Sequence, residues 1–468
     1  MLREIPYHQH SSLLFERLID LPWAVFLDSG FPRSQQGRFD ILSAKPYRTL
    51  TTRGGMTEIS ELEGIQHSAD NPFAILRAQL PTGSFDRTHL PFGGGALGYF
   101  GYDLARRLEE IPEIAQDSEH IPEMMLGIYD WAIVVDHQLS RSWLVQQENS
   151  SETAGTCDLV LDRIHRKFRS ALADEPFRVN GKVLSNMSRD EYGRAFRRIK
   201  RYLLEGDCYQ VNLAQRFAVE CEGNRWPAYK LLRALNPAPF SCFLNFPGVQ
   251  VLSSSPERFL KVEGGRVETK PIKGTRPRLA DSAQDREQIE ALRNSPKDRA
   301  ENLMIVDLLR NDIGKTCAPG SVKVPKLFDI ESFATVHHLV STIQGRLAEG
   351  CDGIDLLRGC FPGGSITGAP KVRAMEIIEE LEPERRGVYC GSVGYIAYGG
   401  NMDTNITIRT LIHSGSEIRF WAGGGIVADS HEADEYQECF DKAAVMFRLL
   451  EQFEVADDSA ERIAQPDR

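Results

Sequence analysis

The 468-residue sequence has no Cys-x-x-Cys pair, no block of basic residues and no apolar run reaching the ~18 residues of a membrane span. Each absence removes a class of protein. Nine cysteines, an odd number without metal-ligand spacing, read as reduced thiols of a cytoplasmic protein, not as a disulfide framework or a zinc site. A formal net charge of −11 argues against nucleic acid or an anionic membrane as partner. An anionic ligand must then be met by individually placed cations. The opening stretch, Met1 to His8, lacks an apolar core of signal-peptide length.

What is present is ordinary in bulk, with 41% hydrophobic and 26% charged residues, and ample for a core. Over residues 21–145, short apolar runs such as that around Ile133 are split by Gly, Pro and Asp at strand-like intervals. Residues 146–156 are polar and without period, as in a surface loop. Ser188 and Glu191 form a capping-box pattern, followed by Tyr192, Ala195, Phe196, Ile199, Tyr202 and Leu203 at helical spacing until Gly206. Strands are expected at 208–213 and 404–410, and the acidic tail after Phe453 is expected to fray. The run from Gly95 repeats that from Gly391 at four of eight positions, which suggests a duplicated layout.

Lys273 lies between a helix-forbidding proline, Pro271, and Gly274, where backbone and substrate can approach closely. A lysine attacks only as the free amine, so its pKa near ~10.4 must be lowered by burial or neighbouring cations. Glu257 precedes this segment by one hairpin's length, so acid and amine can face each other; a surface pair with Arg258 is the other reading. Ser295-Pro296 opens a helix with Asp298 and Glu301 on one face, and a second helix after Asp429-Ser430 carries Glu435 and Glu438 at the same spacing. Each pair alone reads as a solvated helix face. Converging, they would need a cation, and hard oxygen ligands with room for water suit magnesium.

Strand alternation puts Arg409 on one face with Asn405 and Thr407, to bridge Asp403 or to grip a ligand carboxylate. Gly423, Gly424 and Gly425 suit either a tight turn or backbone approach to an anion. His338 is a hydrogen-bond donor or a satisfied core histidine. The run from Phe361 to Lys371 fails as a phosphate loop, because its lysine does not follow the last glycine and Pro370 removes an N–H.

Taken together, SPERF at 255–259, PIKGT at 271–275, DRAENLMIVDLLRND at 298–312, FPGGSITGAPK at 361–371, GNMDTNITIRT at 400–410 and AGGGIVADS at 422–430 resemble the chorismate-utilising enzymes. The resemblance runs from about Leu21 to about Leu450 and is strongest to members that aminate chorismate at ring carbon 4. Anthranilate, isochorismate and salicylate synthases typically carry alanine where this chain has Lys273.

The resemblance implies an α+β fold of two internally similar halves, with antiparallel sheets packed centrally and helices outside. It implies a β-rich portion over residues 1–180 with an effector-like region, a catalytic portion over 181–453 and a tail over 454–468, the two portions forming one intertwined globule. Carried over residue by residue, Glu301 and Glu438 would ligate Mg²⁺, with Asp298 and Glu435 holding metal-bound water. Arg409, Tyr395 and the backbone of Gly423, Gly424 and Gly425 would bind chorismate carboxylates. Thr275 and His338 would line the ring site, with Lys273 as nucleophile and Glu257 as acid. Ser29, Pro239, Phe240 and Ser241 would lie in the family's amino-acid effector region, to bind tryptophan as a regulator or as a buried structural ligand, or to stand empty. No cysteine lies in a Gly-x-Cys-x-Gly elbow, so ammonia is expected from a separate glutamine amidotransferase subunit. Two alternatives stay open: an anthranilate synthase component I, and a non-catalytic amino-acid sensor.

Overall fold

In the first third of the chain, β-branched and aromatic residues alternate between turn residues and build strands. The computed structural model describes all residues except 35–36, 62–63, 81–89, 148–154, 169, 334–335 and 456–468. Most of the loop expected at 146–156, and the tail from 456, lie outside the described residues.

The chain begins with β1 (Leu2–Ile5), α1 (Ser12–Phe15), β2 (Ala24–Asp28), β3 (Phe39–Ser43), β4 (Arg48–Arg53), β5 (Met56–Glu61) and β6 (Gly64–Ser68). After α2 (Pro72–Gln79) come β7 (Gly95–Phe100), β8 (Met124–Tyr129), β9 (Trp131–Asp136), β10 (Arg141–Gln146) and α3 (Thr156–His165). Next are β11 (Phe177–Ser185), α4 (Arg189–Glu205), β12 (Gln210–Gly223), α5 (Trp226–Leu235), β13 (Phe240–Phe246) and β14 (Val249–Ser255). Then β15 (Arg258–Glu263), β16 (Arg266–Thr269), β17 (Ile272–Pro277), α6 (Ser282–Arg293), α7 (Pro296–Gly314), β18 (Lys323–Ser332) and β19 (Val336–Arg346) follow. The last are α8 (Gly353–Cys360), β20 (Gly368–Ala369), α9 (Lys371–Leu381), β21 (Ser392–Ala397), β22 (Met402–Asn405), β23 (Thr410–Ser414), β24 (Glu417–Ile426) and α10 (Glu432–Glu451).

These strands form two antiparallel sheets. The first runs β1-β10-β9-β3-β2-β13-β14-β23-β24-β12-β11, the second β17-β19-β16-β15-β22-β21-β7-β8-β4-β5-β6. Each order is a palindrome about one junction. In the first sheet β2 meets β13, and outward from there β3, β9, β10 and β1 match β14, β23, β24 and β12. In the second β7 meets β21, and β8, β4, β5 and β6 match β22, β15, β16 and β19. The chain is therefore two similar halves, and the repeated Gly/Tyr runs are equivalent strands paired at the junction. The boundary expected at residue 180 falls inside β11, which pairs with β12.

Alternation along the first sheet divides its side chains between two cores. Val25, Ile41, Val134, Leu244 and Ile412 pack with the second sheet, while Phe26, Leu42, Ile133, Phe243 and Leu411 pack with α1, α3, α5 and α10. What the second half adds matters most for function. Where β5 leads straight into β6, the equivalent path from β16 to β19 carries β17, α6, α7 and β18. Lys273, Asp298 and Glu301 all sit on that addition.

Candidate active site

Helix α7 starts as its sequence dictates, with Ser295 accepting the Asp298 N–H and Pro296 in the first turn. β17 packs on this turn. Gly274, at φ +70°, forms the bulge between the Lys273–Leu339 and Thr275–His338 pairs, and a methyl there would lie 2.9 Å from Asp298 Cγ. β16 and β17 run along the same strand, β19, interrupted only at Lys270-Pro271. Beyond the hairpin that pairs Lys261 with Glu268 and Val262 with Val267, the Ile272 N–H bonds the Glu257 carboxylate and the charge of Lys273 acts on it. Acid and amine do face each other.

Glu257 is buried and accepts a hydrogen bond from Ser365 Oγ at 3.0 Å. Lys273 Nζ donates to the Ser365 carbonyl at 3.1 Å. Burial raises the Glu257 carboxyl against the pull of Lys273 and Ser365. Burial lowers the Lys273 amine, opposed by Glu301 and Glu257 and helped by Lys442. The acid is pushed towards its protonated form and the amine towards its free base, as proton transfer between substrate and acid requires.

The two acidic helices converge. Burial raises the Glu301 carboxyl, with Asp298 and Glu438 adding to the rise. Burial also raises Glu435, again with help from Glu438. For Glu438 burial pushes the same way, but Lys442, Lys297 and Lys273 outweigh it and hold that carboxyl low. Lys442 bonds Glu438 at 2.6 Å and the Gly423 carbonyl at 2.8 Å. Asp298 pairs with Arg276 at 3.1 Å.

Among the described residues no three His, Cys, Asp or Glu side chains are gathered as a metal cluster, and Lys442, Lys297 and Lys273 all act on Glu438. The donor set nonetheless fits a hard divalent cation. Glu435 Oε1 is taken by Ser430 at 2.6 Å, while its Oε2 is buried without a partner and lies 2.7 Å from where a methyl on Gly424 would stand.

The glycine run is neither a turn nor a loose loop but the interior of β24, with Gly423, Gly424 and Gly425 opposite Ala214, Leu213 and Asn212. Thr275 Oγ1 and His338 Nδ1 are 2.9 Å apart. His338 is pushed down to about 3 by burial and by Arg409, so it is neutral, and its buried Nε2 has no partner. Arg409 requires a correction. It is not on a strand, because residues 406–409 carry the chain from one sheet to the other, and Arg409 takes φ +51° there. Alternation with Asn405 therefore does not apply. Asp403 is held by Arg258 at 2.9 Å, and no described side chain forms an ion pair with Arg409.

Tyr395 is the second correction. It lies on β21 against Phe92 and lines a cavity of about 650 Å³ with Ser29, Pro239, Phe240 and Ser241, at the β2–β13 junction. Lys273, Glu257 and Arg409 do not line that cavity. The expected effector residues are thus brought together, but Tyr395 belongs with them. Ser29 is also less free than expected, since its N–H and hydroxyl both bond Asp40 Oδ1, at 2.7 and 2.6 Å.

Two residues escaped the sequence reading. Ser365 lay in the run dismissed as a phosphate loop, whose Lys371 instead pairs with Asp312 at 2.6 Å. Lys442 was legible as the residue one helical turn beyond Glu438.

Fold and site together define an α+β protein with an amine and acid buried beside facing carboxylate-bearing helices. Residues 27–448 match the family of chorismate binding enzymes, and the chain belongs to that family. It is 51% identical over 440 residues to aminodeoxychorismate synthase component 1 of Escherichia coli strain K12, covering 93% of this chain and 95% of that one. It is 36% identical over 457 residues to anthranilate synthase component 1 of Acetivibrio thermocellus, covering 94% and 92%. Among solved structures, anthranilate synthase component I of Streptococcus pneumoniae TIGR4 superposes with a TM-score of 0.79 at 33% identity, over 88% of this chain and 93% of that one.

Proposed function

We propose that this chain aminates chorismate at ring carbon 4, giving 4-amino-4-deoxychorismate for p-aminobenzoate and folate synthesis. The observation that carries the reading is the pair Lys273 and Glu257, bonded to the same residue, Ser365, at 3.1 and 3.0 Å. A 2-amination enzyme has no use for that amine.

In the proposed sequence the free Lys273 amine forms a bond to ring carbon 2 as the carbon 4–oxygen bond breaks, and the hydroxyl leaves as water with the proton of Glu257. The two ring double bonds, displaced in that step, shift back as ammonia bonds to carbon 4 and the carbon 2–nitrogen bond breaks, and Lys273 leaves as the neutral amine. The Glu257 carboxylate takes the proton lost by the incoming ammonia, which restores the starting state. Arg409, the backbone at Gly423 to Gly425 and the Thr275–His338 pair bind and orient the substrate. Glu301 and Glu438 would hold Mg²⁺, with Asp298 and Glu435 on its water, and the ion would supply charge stabilisation to a substrate carboxylate.

Ammonia is scarce at neutral pH, so a glutamine amidotransferase subunit is proposed as its source, and the cytoplasm as the site of action. No described helix is long and apolar enough to cross a membrane. The cavity beside Ser29 and Tyr395 is proposed to take tryptophan, its volume of about 650 Å³ being ample for an amino acid.

The test is incubation of the Lys273→Ala variant with chorismate, magnesium and ammonia. Loss of the 4-amino product, with anthranilate formed instead, is expected. Undiminished 4-amination would end the covalent role, and anthranilate from the unmodified chain would favour the alternative activity. No product from the unmodified chain would favour a sensor.

A further inference from the structure

We infer that Ser365 is a positioning residue that aims the acid and the amine at one substrate, an inference resting on the reading of Lys273 and Glu257 above. The two bonds come from different atoms of one residue. The hydroxyl donates to Glu257 Oε1 at 3.0 Å, and the carbonyl accepts from Lys273 Nζ at 3.1 Å. A carboxylic acid with one oxygen tied presents the other oxygen in a fixed direction. A neutral amine has two N–H bonds and one lone pair, so giving one N–H to a fixed carbonyl limits where the lone pair points. One residue therefore sets the relative aim of proton donor and nucleophile.

The turn that carries Ser365 is itself immobilised. It is a 3₁₀ helix of one turn, Gly364–Ile366, and Arg386 donates to the Ile366 carbonyl at 3.0 Å. Thr367 Oγ1 bonds the Gly363 carbonyl at 3.1 Å. Gly364 leaves no room for a side chain, because Leu308 of α7 fills the space a methyl would need. The same helix carries Glu301, so the turn is locked to the element that presents the carboxylates. A hydroxyl that merely satisfied a buried acid would need neither the carbonyl contact nor this anchoring.

The charged and titratable groups facing Glu257 are Lys273, Lys442, Arg409 and Cys390, and none of them replaces the Ser365 hydroxyl as a neutral donor. The Ile272 N–H is a further donor to the carboxyl, so deleting the Ser365 hydroxyl should loosen its aim without releasing it, and make it harder to ionise, since the lost bond favours the charged form. The carbonyl contact to Lys273 would remain.

The experiment is ammonia-dependent turnover of Ser365→Ala, Ser365→Cys and Ser365→Thr across pH, with Lys273→Ala and Glu257→Gln alongside. Ser365→Ala and Ser365→Cys should lower kcat by about 10- to 100-fold with the chorismate KM almost unchanged. The limb of the pH profile that follows Glu257 should move to higher pH in both. Ser365→Thr, which keeps the hydroxyl, should restore both the rate and the limb. The inference is overturned if Ser365→Ala keeps wild-type kcat and an unmoved limb, if the loss falls on KM, or if Ser365→Thr does no better than Ser365→Ala. Loss of 4-amination in Lys273→Ala and Glu257→Gln without any effect at Ser365 would sink this inference alone. Retention of 4-amination in those two would sink the reading beneath it.

Discussion

Gly98 and Gly394 stand opposite each other where β7 and β21 join the two halves of the chain, and they occupy equivalent places in those halves. A methyl on either would not meet the other glycine. It would drive into the next strand of its own half, at the Met125 carbonyl from Gly98 and at the Asp403 carbonyl and Thr404 from Gly394. Gly98 also takes φ +154°, which side chains avoid. Overpacking of this kind costs about 1–3 kcal/mol and more where backbone must move. Gly98→Ala is therefore expected to lose at least the upper end of that range and Gly394→Ala a similar amount, read from urea midpoints. Two alanine variants with wild-type midpoints would remove close strand approach as the reason for the repeated glycines.

The duplication was legible in the same residues, because the echo falls at one of the two junctions, β7–β21 and β2–β13, where equivalent strands are neighbours. The helix starts at Ser188 and Ser295 were legible too, since both caps use side-chain hydrogen bonds to nearby N–H groups. Arg409 and Tyr395 were not. Alternation describes a strand but not the crossing between sheets, and nothing local distinguishes a tyrosine facing one cavity from a tyrosine facing another. Convergence of Glu301 with Glu438 depends on the long insertion between β16 and β19, which no local pattern measures.

The facing carboxylates make a prediction that does not need turnover. Glu301 is raised chiefly by burial, with Lys273 and Lys297 opposing and Asp298 and Glu438 adding to the rise, so a divalent cation beside it would favour the charged carboxylate that burial disfavours. Magnesium at about 100 times its dissociation constant should stabilise the protein by roughly 2.7 kcal/mol through binding the native state alone. The shift in thermal midpoint should be lost in Glu301→Gln. An equal magnesium shift in Glu301→Gln and in the parent would place the ion elsewhere.

A second buried network predicts an acid-sensitive fold. Asp40 accepts from Ser11, from the Ser29 N–H and hydroxyl, and from His137 at 2.8 Å. Burial raises its carboxyl, but these partners outweigh burial and hold it below the ordinary range. The native state then binds this proton less readily than the unfolded chain. Its stabilisation is present in full above the ordinary aspartate pKa of ~3.9 and is lost as pH falls below it. Asp40→Asn should cost about 3 kcal/mol at neutral pH and flatten the loss of stability on acidification. Parallel pH dependence of the two denaturation midpoints would show that Asp40 is not the source.

Tyr395 supplies a test that separates the two binding sites. Its ring closes one wall of the cavity that Ser29, Pro239, Phe240 and Ser241 also line, a cavity that Lys273 and Glu257 do not line. Asp403, Arg258 and Glu263 are the charged groups that face its hydroxyl. A chorismate contact and an amino-acid contact therefore predict opposite results for one variant. Tyr395→Ala should abolish tryptophan binding measured by calorimetry and leave ammonia-dependent kcat/KM for chorismate within about threefold of the parent. A loss of about 10²-fold or more, the scale of a substrate-orienting group, would return Tyr395 to the chorismate site. Unchanged tryptophan binding would mean that the cavity does not recognise an indole through this wall.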